Sequence, residues 1–482
     1  MNRREFLKGT AWMGAAAMAA GCQLNRFGFG EGGQMQNFVY RKLAGKKIRV
    51  GFVGIGGRGS GAVHRVSMIP GVDVVALCDL RQEQVDKNIA WLKERKYPSI
   101  DRIKTYVGAE AYKNLCDFGD CDVVYCATPW ALHQPVALRA LRGGKIALIE
   151  VTSALTVDEC WELVEASEKY QVPCMQLENC VYGEIELLEL NLARMGMFGE
   201  ITHVEGAYIH DLRSIIPQTA PHNNEWEWRY GENMSHRGDR YPTHGLVPLC
   251  QTLGINRGDR LDYLVALGNG PTNKNYERVR KEYLPDSDSR KFDPPAAMAD
   301  MNTTLLKTVN GVSIMVQHDV SSPRPYNRKA FISGTKGAMG DYPFRCTFEE
   351  NCMDGKTHAW FDEKAANEIR TKYMHPMWRD VSEMAKKVGG HGGMDFIMDL
   401  RWAWCLQNGE PLDMDVYDLA ATSCLCELTE ISDRNGSKPQ SIPDFTRGNW
   451  RKVKPWGVVN VDLRKMGLDK GDVKKDDAAL SV

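Results

Sequence analysis

The chain has 482 residues, of which 43% are hydrophobic and 26% charged, enough apolar material for two or three domains with a sizeable core. Lys and Arg (61) nearly cancel Asp and Glu (62), and the formal net charge of −1 gives no electrostatic basis for a nucleic-acid partner. No run reaches the ~18 apolar residues that a membrane-spanning helix needs.

The first 22 residues are set apart from the fold. Asn2-Arg3-Arg4-Glu5-Phe6-Leu7-Lys8 places paired arginines ahead of a short apolar run, 10–21, that closes on Ala19-Ala20-Gly21-Cys22. This order predicts an export signal of the twin-arginine type, and hence a periplasmic protein or one lipid-anchored at Cys22. A lipoprotein signal usually has leucine where Ala19 stands, so both outcomes stay open, and membrane contact is expected only through that anchor. Residues 23–45 are glycine-rich and polar and read as a linker. Fourteen cysteines in an exported chain would suggest disulfides, yet Cys78, Cys126 and Cys174 sit in apolar, strand-like runs and no CxxC occurs. Most are therefore expected to be buried thiols acting as small hydrophobes.

Residues 46–177 carry the first domain. The apolar run 48–53 (IRVGFV) enters Gly54-x-Gly56-x-x-Gly59, a second run covers 72–77, and Asp79 follows. Strand, glycine turn, helix, strand and carboxylate is the dinucleotide-binding order: the glycines allow the tight turn and close backbone approach, and the helix N-terminus favours a pyrophosphate. Runs 122–127 and 145–150 read as further strands, with helices over 81–95, 134–142 and 156–170, and 172–177 as the last strand. The alternation predicts an α/β, doubly wound parallel sheet whose ligand lies beyond the strand carboxyl ends, where Asp79, residues 129–133 and Glu150 fall.

The texture changes after a helix over 185–195. Residues 201–209, 262–267, 302–308, 312–318 and 329–333 are short strand-like runs, predicting an α+β domain (178–440) with a large, mostly antiparallel open sheet and little helix before Arg379. Residues 394–406 and 416–431 read as later helices, and 441–482 as a return segment with a charged tail.

Many short motifs in one order carry a resemblance: Trp130-Ala131-Leu132-His133, Glu150-Val151-Thr152-Ser153, Glu178-Asn179-Cys180-Val181-Tyr182, Met197-Phe198-Gly199-Glu200, Tyr208-x-His210-Asp211-Leu212-Arg213, Tyr241-Pro242-Thr243-His244-Gly245, Arg324-Pro325-Tyr326-Asn327, His391-Gly392-Gly393-Met394-Asp395 and Ile442-Pro443-Asp444-Phe445. Over about 46–456 the chain resembles glycoside hydrolase family 109, the NAD-dependent α-N-acetylgalactosaminidases, within the Gfo/Idh/MocA oxidoreductase superfamily. Dehydrogenases of that superfamily usually carry Glu-Lys-Pro where this chain has Glu150-Val151-Thr152, and their proton-handling lysine is missing here.

The resemblance implies NAD as cofactor and a redox-neutral cycle. Transient oxidation of the sugar C3 hydroxyl acidifies C2–H, its removal expels the C1 oxygen, water adds, and C3 is reduced again; such enzymes are exceptions to the two-carboxylate scheme. It implies cofactor contacts at Gly54, Gly56, Gly57, Arg58, Gly59, Asp79, Trp130, Ala131, Leu132, His133, Glu150, Val151 and Asn179. It implies sugar contacts at Tyr208, Arg229, Tyr241, Pro242, Thr243, His244 and Tyr326. His244 is the expected main proton-transfer residue, assisted by Tyr182 and Tyr241. The expected partner is a glycan ending in N-acetylgalactosamine, and pairing of two copies through the exposed sheet is common in the superfamily. His391 and Asp395 do not fill a coordination sphere, so no metal is expected and the stretch reads as a loop-to-helix junction, within reach of the active site as the alternative. The competing functions are a sugar or cyclitol dehydrogenase, disfavoured by the missing lysine, and a glycan-binding protein with a vestigial nucleotide domain.

Overall fold

The computed structural model describes residues 33–215, 227–270, 273–349, 359–455 and 459–468. The export signal, Cys22, the first part of the linker, Trp226 and most of the charged tail lie outside the described residues.

Six parallel strands form the first sheet: β1 (Ile48–Val53), β2 (Val72–Asp79), β3 (Lys104–Val107), β4 (Val123–Cys126), β5 (Ile146–Ile149) and β6 (Cys174–Gln176), in the order β3-β2-β1-β4-β5-β6. Strands β4 and β5 are buried at every position, as a sheet covered on both faces requires. Strand β3 gave no apolar signal because it is an edge with exposed Lys104 and Thr105. Helix Val157–Tyr170 begins at Thr156 through a reciprocal capping box with Glu159. Helices from the far end of the chain complete the cover: Met394–Asn408 packs against Gly57–Ser67, and Val416–Ser423 against Val157–Tyr170. The last third of the chain is thus shared between both domains.

The second sheet has eight strands, β7 (Ile201–Ile209), β8 (Leu261–Gly268), β9 (Asn302–Thr308), β10 (Ser313–Asp319), β11 (Phe331–Gly334), β12 (Gly337–Gly340), β13 (Arg345–Phe348) and β14 (Gln440–Ser441), ordered β13-β12-β11-β7-β10-β9-β8-β14. Among the described residues of this sheet, only β7 and β10 pair in parallel. Its inner residues, such as Leu264, Ala266, Leu306 and Ile314, are buried, while Tyr263, Leu267 and Leu305 on the other face are exposed. That alternation is the mark of an antiparallel sheet with one open face.

The expectation of little helix before Arg379 is corrected. Helices span Glu227–Ser235, Thr243–Leu253, Lys274–Tyr283 and Glu363–Lys372, and Pro376–Val388 begins earlier than expected. Thr243–Leu253 escaped notice because it is buried almost all round and holds Pro248, so it shows neither an amphipathic period nor a clean helical composition. The helix expected over 416–431 is two, Val416–Ser423 and Leu425–Arg434, joined at Cys424. Every cysteine among the described residues is a buried, unpaired thiol.

Candidate active site

The glycine loop after β1 is shaped for an anion. Gly54 has φ +78°, and a Cβ on Gly59 would overlap the carbonyl of Gly54, so these two glycines serve the turn and the helix–strand approach. A Cβ on Gly56 would meet nothing within 4 Å, so glycine there keeps open the space over the N-terminus of helix Gly57–Ser67. The first amides of that helix, at Gly57, Arg58 and Gly59, precede its first intrahelical bond, Ser60 N–H to Gly56 O. Asp79, at the end of β2, accepts the N–H groups of Ile55 (2.8 Å) and Arg81 (3.0 Å) and is held rigidly beside the loop. A vicinal diol on the carboxylate and a pyrophosphate on the amides fit this donor and acceptor set.

The Arg58 side chain is anchored on carboxylates. Its Nε donates to Glu150 at 2.7 Å and its Nη1 to Asp395, while its backbone N–H is one of the first amides of the helix. Asp395 also accepts from Asn179 Nδ2 at 2.6 Å, lies 3.0 Å from His391 Nδ1 and pairs with Arg65 at 3.6 Å. Burial opposes its charge, but Arg58 and Arg65 hold its pKa well below the ordinary carboxylate range. The 391–395 junction therefore does reach the site. Asp395 ties Arg58 and Asn179, both expected at the cofactor, into one lattice.

Beyond β4 and β5, Trp130 Nε1 donates to the carbonyl of Val151 at 3.2 Å, and the Trp130 ring stacks on Tyr241 at 5.5 Å. Ala131 and Leu132 are exposed, whereas His133 is buried with its ring nitrogens 2.7 Å from the carbonyls of Thr152 and Thr128. Burial lowers the His133 pKa. His133 clamps the loop after β4 to the loop after β5, whose Val151 carbonyl accepts from Trp130. Val151 and Thr152, where a lysine and a proline would stand in a dehydrogenase, are buried, and the Thr152 hydroxyl bonds the Arg240 carbonyl at 3.2 Å.

The second domain supplies the remaining wall. A Cβ on Gly206 would lie 2.0 Å from the Gly245 carbonyl, and one on Gly245 2.4 Å from the Ala207 nitrogen, so helix Thr243–Leu253 crosses β7 at a glycine–glycine contact. That approach places the His244 ring 5.2 Å from Tyr208 and 4.8 Å from Tyr241. Pro242 precedes the helix and buried Thr243 starts it. Arg229 lies 5.1 Å over the Tyr241 ring and 5.2 Å over Trp130, and its charge opposes the rise that burial imposes on the Tyr208 pKa. Tyr326 stands at the rim, its ring 6.3 Å from Tyr208 and its hydroxyl accepting from Arg328 at 3.2 Å.

Glu178 is the partner that sequence reasoning missed. Its fully buried carboxylate accepts the Cys180 N–H at 3.0 Å and the His244 Nδ1–H at 2.9 Å. Burial raises its pKa, but His244, the Cys180 amide and Thr243 together outweigh that and keep it below the usual range. Nδ1 of His244 is therefore the protonated nitrogen and Nε2 the acceptor. Within the motif Glu178-Asn179-Cys180-Val181-Tyr182, a carboxylate at the end of an apolar strand was the available signal. The Cys180 thiol completes a Glu178–Cys180–His244 group whose donor atoms lie within 4.8 Å of one another. Burial pushes that thiol well up, away from the thiolate that a metal needs.

Tyr182 does not join the group. Its hydroxyl donates to Asp413 at 3.0 Å, Asp413 pairs with the buried Arg401 at 3.0 Å, and burial drives the Tyr182 pKa well above the ordinary value. It braces the core behind the site. Tyr241 stays near the pocket, but burial raises its pKa too, so it is a hydroxyl donor and not a base.

Residues 182–452 match the C-terminal domain of glycosyl hydrolase 109, and residues 48–177 match the NAD-binding Rossmann fold of the oxidoreductase family. Glycosyl hydrolase family 109 protein 1 of Bacteroides thetaiotaomicron is 44% identical over 425 residues, covering 84% of this chain and 86% of that one. An alpha-N-acetylgalactosaminidase of Bacteroides fragilis is 43% identical over 408 residues, covering 84% and 93%. In fold, the chain is similar to levoglucosan dehydrogenase in complex with NADH and levoglucosan (TM-score 0.61, 16% identity, 82% of this chain and 100% of that one) and to an NAD-binding oxidoreductase of Klebsiella pneumoniae (TM-score 0.60, 16% identity, 82% and 99%). The glycine cradle, the missing lysine and these matches converge: the chain belongs to glycosyl hydrolase family 109 and is a glycoside hydrolase whose amino-terminal domain binds NAD.

Proposed function

We propose that this chain removes terminal α-linked N-acetylgalactosamine from glycans through a redox-neutral, NAD-dependent cycle. The observation that carries this reading is the His244–Glu178 pair, set among Tyr208, Tyr241 and Arg229 and joined to the cofactor domain through the Trp130–Tyr241 stack. When bound, NAD supplies reversible hydride acceptance from the sugar carbon. His244 Nε2 takes the C3 hydroxyl proton, and the Glu178 carboxylate stabilises the imidazolium that results. Arg229 provides positive charge for the oxygen that becomes electron-rich when C2–H is removed. Tyr241 donates a hydrogen bond to a sugar oxygen and offers its ring to a sugar C–H face. Glu150 and Asp395 hold the Arg58 guanidinium in ion pairs.

Substrate identity is tested with 4-nitrophenyl α-N-acetylgalactosaminide beside the α-galactoside and the β-N-acetylgalactosaminide. Hydrolysis of the first, exceeding both others by a hundredfold or more in kcat/KM, is the expected result; equal rates on the α-galactoside would remove the N-acetyl group from the specificity. The setting proposed for this activity is the periplasm, reached through the twin-arginine signal, either free or lipid-anchored at Cys22, with pairing of two copies through the open face of the second sheet. Export of an enzyme already folded around its cofactor suits a cycle that regenerates the oxidised form. Blue-native electrophoresis and envelope fractionation of the full chain, with Arg3→Lys/Arg4→Lys and Cys22→Ala variants, test these three points.

A further inference from the structure

A series of tyrosine rings runs outward from the sugar site. Buried Tyr208 (6% exposed) stands 6.3 Å from Tyr326 (36% exposed), and Tyr326 stands 6.2 Å from the half-buried Tyr342, just past β12. Tyr208, His210 and Tyr342 meet the Tyr326 ring at 85°, 88° and 69°, so among the described residues no ring is stacked on it. Arg328 braces the outer pair, its guanidinium 5.5 Å from the Tyr326 ring centre and 5.8 Å from that of Tyr342. Its Nε is held by buried Glu186 at 2.7 Å and its Nη1 donates to the Tyr326 hydroxyl at 3.2 Å, which leaves the Nη2 donors for a ligand oxygen. The backbone around the pair is strained. Lys329, Ala330 and Tyr342 have φ of +64°, +43° and +68°, and the Asp341 N–H ties the two segments together at the Lys329 carbonyl, 3.2 Å away. Left-handed backbone at residues with side chains costs stability, and it gathers where a fold aims groups at a ligand.

A groove continues from this pair. Two residues past Tyr342, the Phe344 ring centre lies 5.7 Å from the Arg370 guanidinium, and Arg370 donates to Glu184 at 2.7 Å. Arg370 and Glu184 line a groove of about 360 Å³ together with Asn367, Met374, Trp378 and Arg379. That volume is within the range of small-molecule sites, roughly 300–1,000 Å³. Its charges cancel, Arg370 against Glu184 and Arg379 against Asp380 at 3.1 Å, so the groove has no net field for an acidic ligand. Amide and guanidinium donors, a carboxylate acceptor and the apolar surface of Met374 and Trp378 suit a neutral sugar, which carries hydroxyls beside C–H faces.

An enzyme that takes a terminal sugar holds that ring inside, and whatever the ring is joined to lies toward the mouth. We propose that Tyr326, Tyr342 and Arg328 form a subsite for the sugar on the far side of the scissile bond, and that the groove at Arg370 and Trp378 takes the sugar after it; this rests on the glycosidase reading above. The substrate class is then a neutral oligosaccharide, recognised over at least three units. Tyr342 packs its ring on the second sugar, and Arg328 Nη2 donates to one of its oxygens. Glu186 keeps the guanidinium in place before the substrate arrives, so little side-chain freedom is lost on binding.

The test measures kcat/KM on three substrates with alcohol leaving groups: methyl α-N-acetylgalactosaminide, a disaccharide of α-N-acetylgalactosamine on galactose, and the trisaccharide that extends it by one neutral sugar. Wild type should favour the disaccharide over the methyl glycoside by about tenfold or more, and the trisaccharide by several-fold again. Tyr342→Ala should lose about tenfold more on the disaccharide than on the methyl glycoside, mainly through KM, while Tyr342→Phe, which keeps the ring, should retain the wild-type preference. Arg370→Ala should erase the advantage of the trisaccharide over the disaccharide. Equal wild-type values for methyl glycoside and disaccharide, or equal losses on both in Tyr342→Ala, would overturn the subsite and leave Tyr342 a support for the rim. A trisaccharide no better than the disaccharide would overturn the assignment of the groove. Failure of wild type to hydrolyse these substrates and the 4-nitrophenyl glycoside alike would instead remove the glycosidase reading, and the subsites with it.

Discussion

Glu178→Gln isolates the charge that orients the proposed base. The carboxylate accepts from the Cys180 amide at 3.0 Å and from His244 Nδ1 at 2.9 Å, and it is fully buried. Glutamine preserves the volume but has one accepting and one donating end. The Cys180 N–H can only donate, so it retains the amide oxygen and turns the NH₂ toward His244. Nδ1 must then accept, the imidazole proton moves to Nε2, and the nitrogen needed as acceptor becomes a donor. A wrong-tautomer histidine in a comparable pair costs on the order of 10⁴ in rate, so a loss of about 10³–10⁴ in kcat is expected, or roughly 4–5 kcal/mol of barrier. The depressed Glu178 pKa gives the sign of the pH effect on stability. Its contribution is present above the ordinary glutamate value and is lost as pH falls through the lower folded value, so wild type and variant should converge in acid. The assay is initial-rate hydrolysis of the 4-nitrophenyl glycoside, with NAD content measured by absorbance on the same preparation. A variant within tenfold of wild type at full NAD content would refute the assignment of Nε2 as the base.

Gly245→Ala puts a Cβ 2.4 Å from the Ala207 nitrogen, so helix Thr243–Leu253 must move off β7 by about 1 Å; a displacement of that size is expected to cost about 10²-fold in kcat with NAD content unchanged, and unaltered kcat would show that the glycine contact does not set the His244 position. Tyr182→Phe removes a buried hydrogen bond to Asp413 away from the chemistry; unfolding in urea should show a loss of about 1 kcal/mol while kcat changes less than threefold, and a large kcat loss would return Tyr182 to the catalytic group. His64 is buried against Trp91, with ring centroids 3.7 Å apart, and burial followed by Arg95, Lys87 and Arg65 lowers its pKa to about 3. The unfolded chain therefore takes up this proton first, and its contribution is complete above about pH 6.5 and falls as pH drops, by roughly 2 kcal/mol between pH 7 and 5. His64→Phe should flatten the urea midpoint over that interval, and parallel curves would contradict the assignment.

What could be read without coordinates follows from the range of each signal. Strands β1, β7 and β9 lie where their apolar patterns put them, because burial on one or two faces writes directly into a period. The helix that carries His244 was hidden, since uniform burial erases the amphipathic stripe and Pro248 argues locally against helix. Glycine roles were legible only as a class: the open space at Gly56 and the Gly206–Gly245 crossing depend on what lies opposite. The same holds for acids. Asp79 sits at a fixed spacing from the glycine loop, whereas the use of Glu178 and Asp395 depends on residues 66 and 337 positions away in sequence. Tyr182 was misassigned for the converse reason, because a tyrosine in a site motif cannot be seen to face the core until Asp413 is found beside it.

The proposed cycle breaks a glycosidic bond by way of oxidation at C3 with no net redox change. The most direct test is turnover of an aryl α-N-acetylgalactosaminide in D₂O, following aryl alcohol, the absorbance of reduced cofactor, and deuterium at C2 of the released sugar. Aryl alcohol release with C2 deuterated and no accumulation of NADH is the predicted result. Hydrolysis with C2–H fully retained would contradict the oxidation–elimination route, and steady NADH with an intact glycosidic bond would make the enzyme a sugar dehydrogenase.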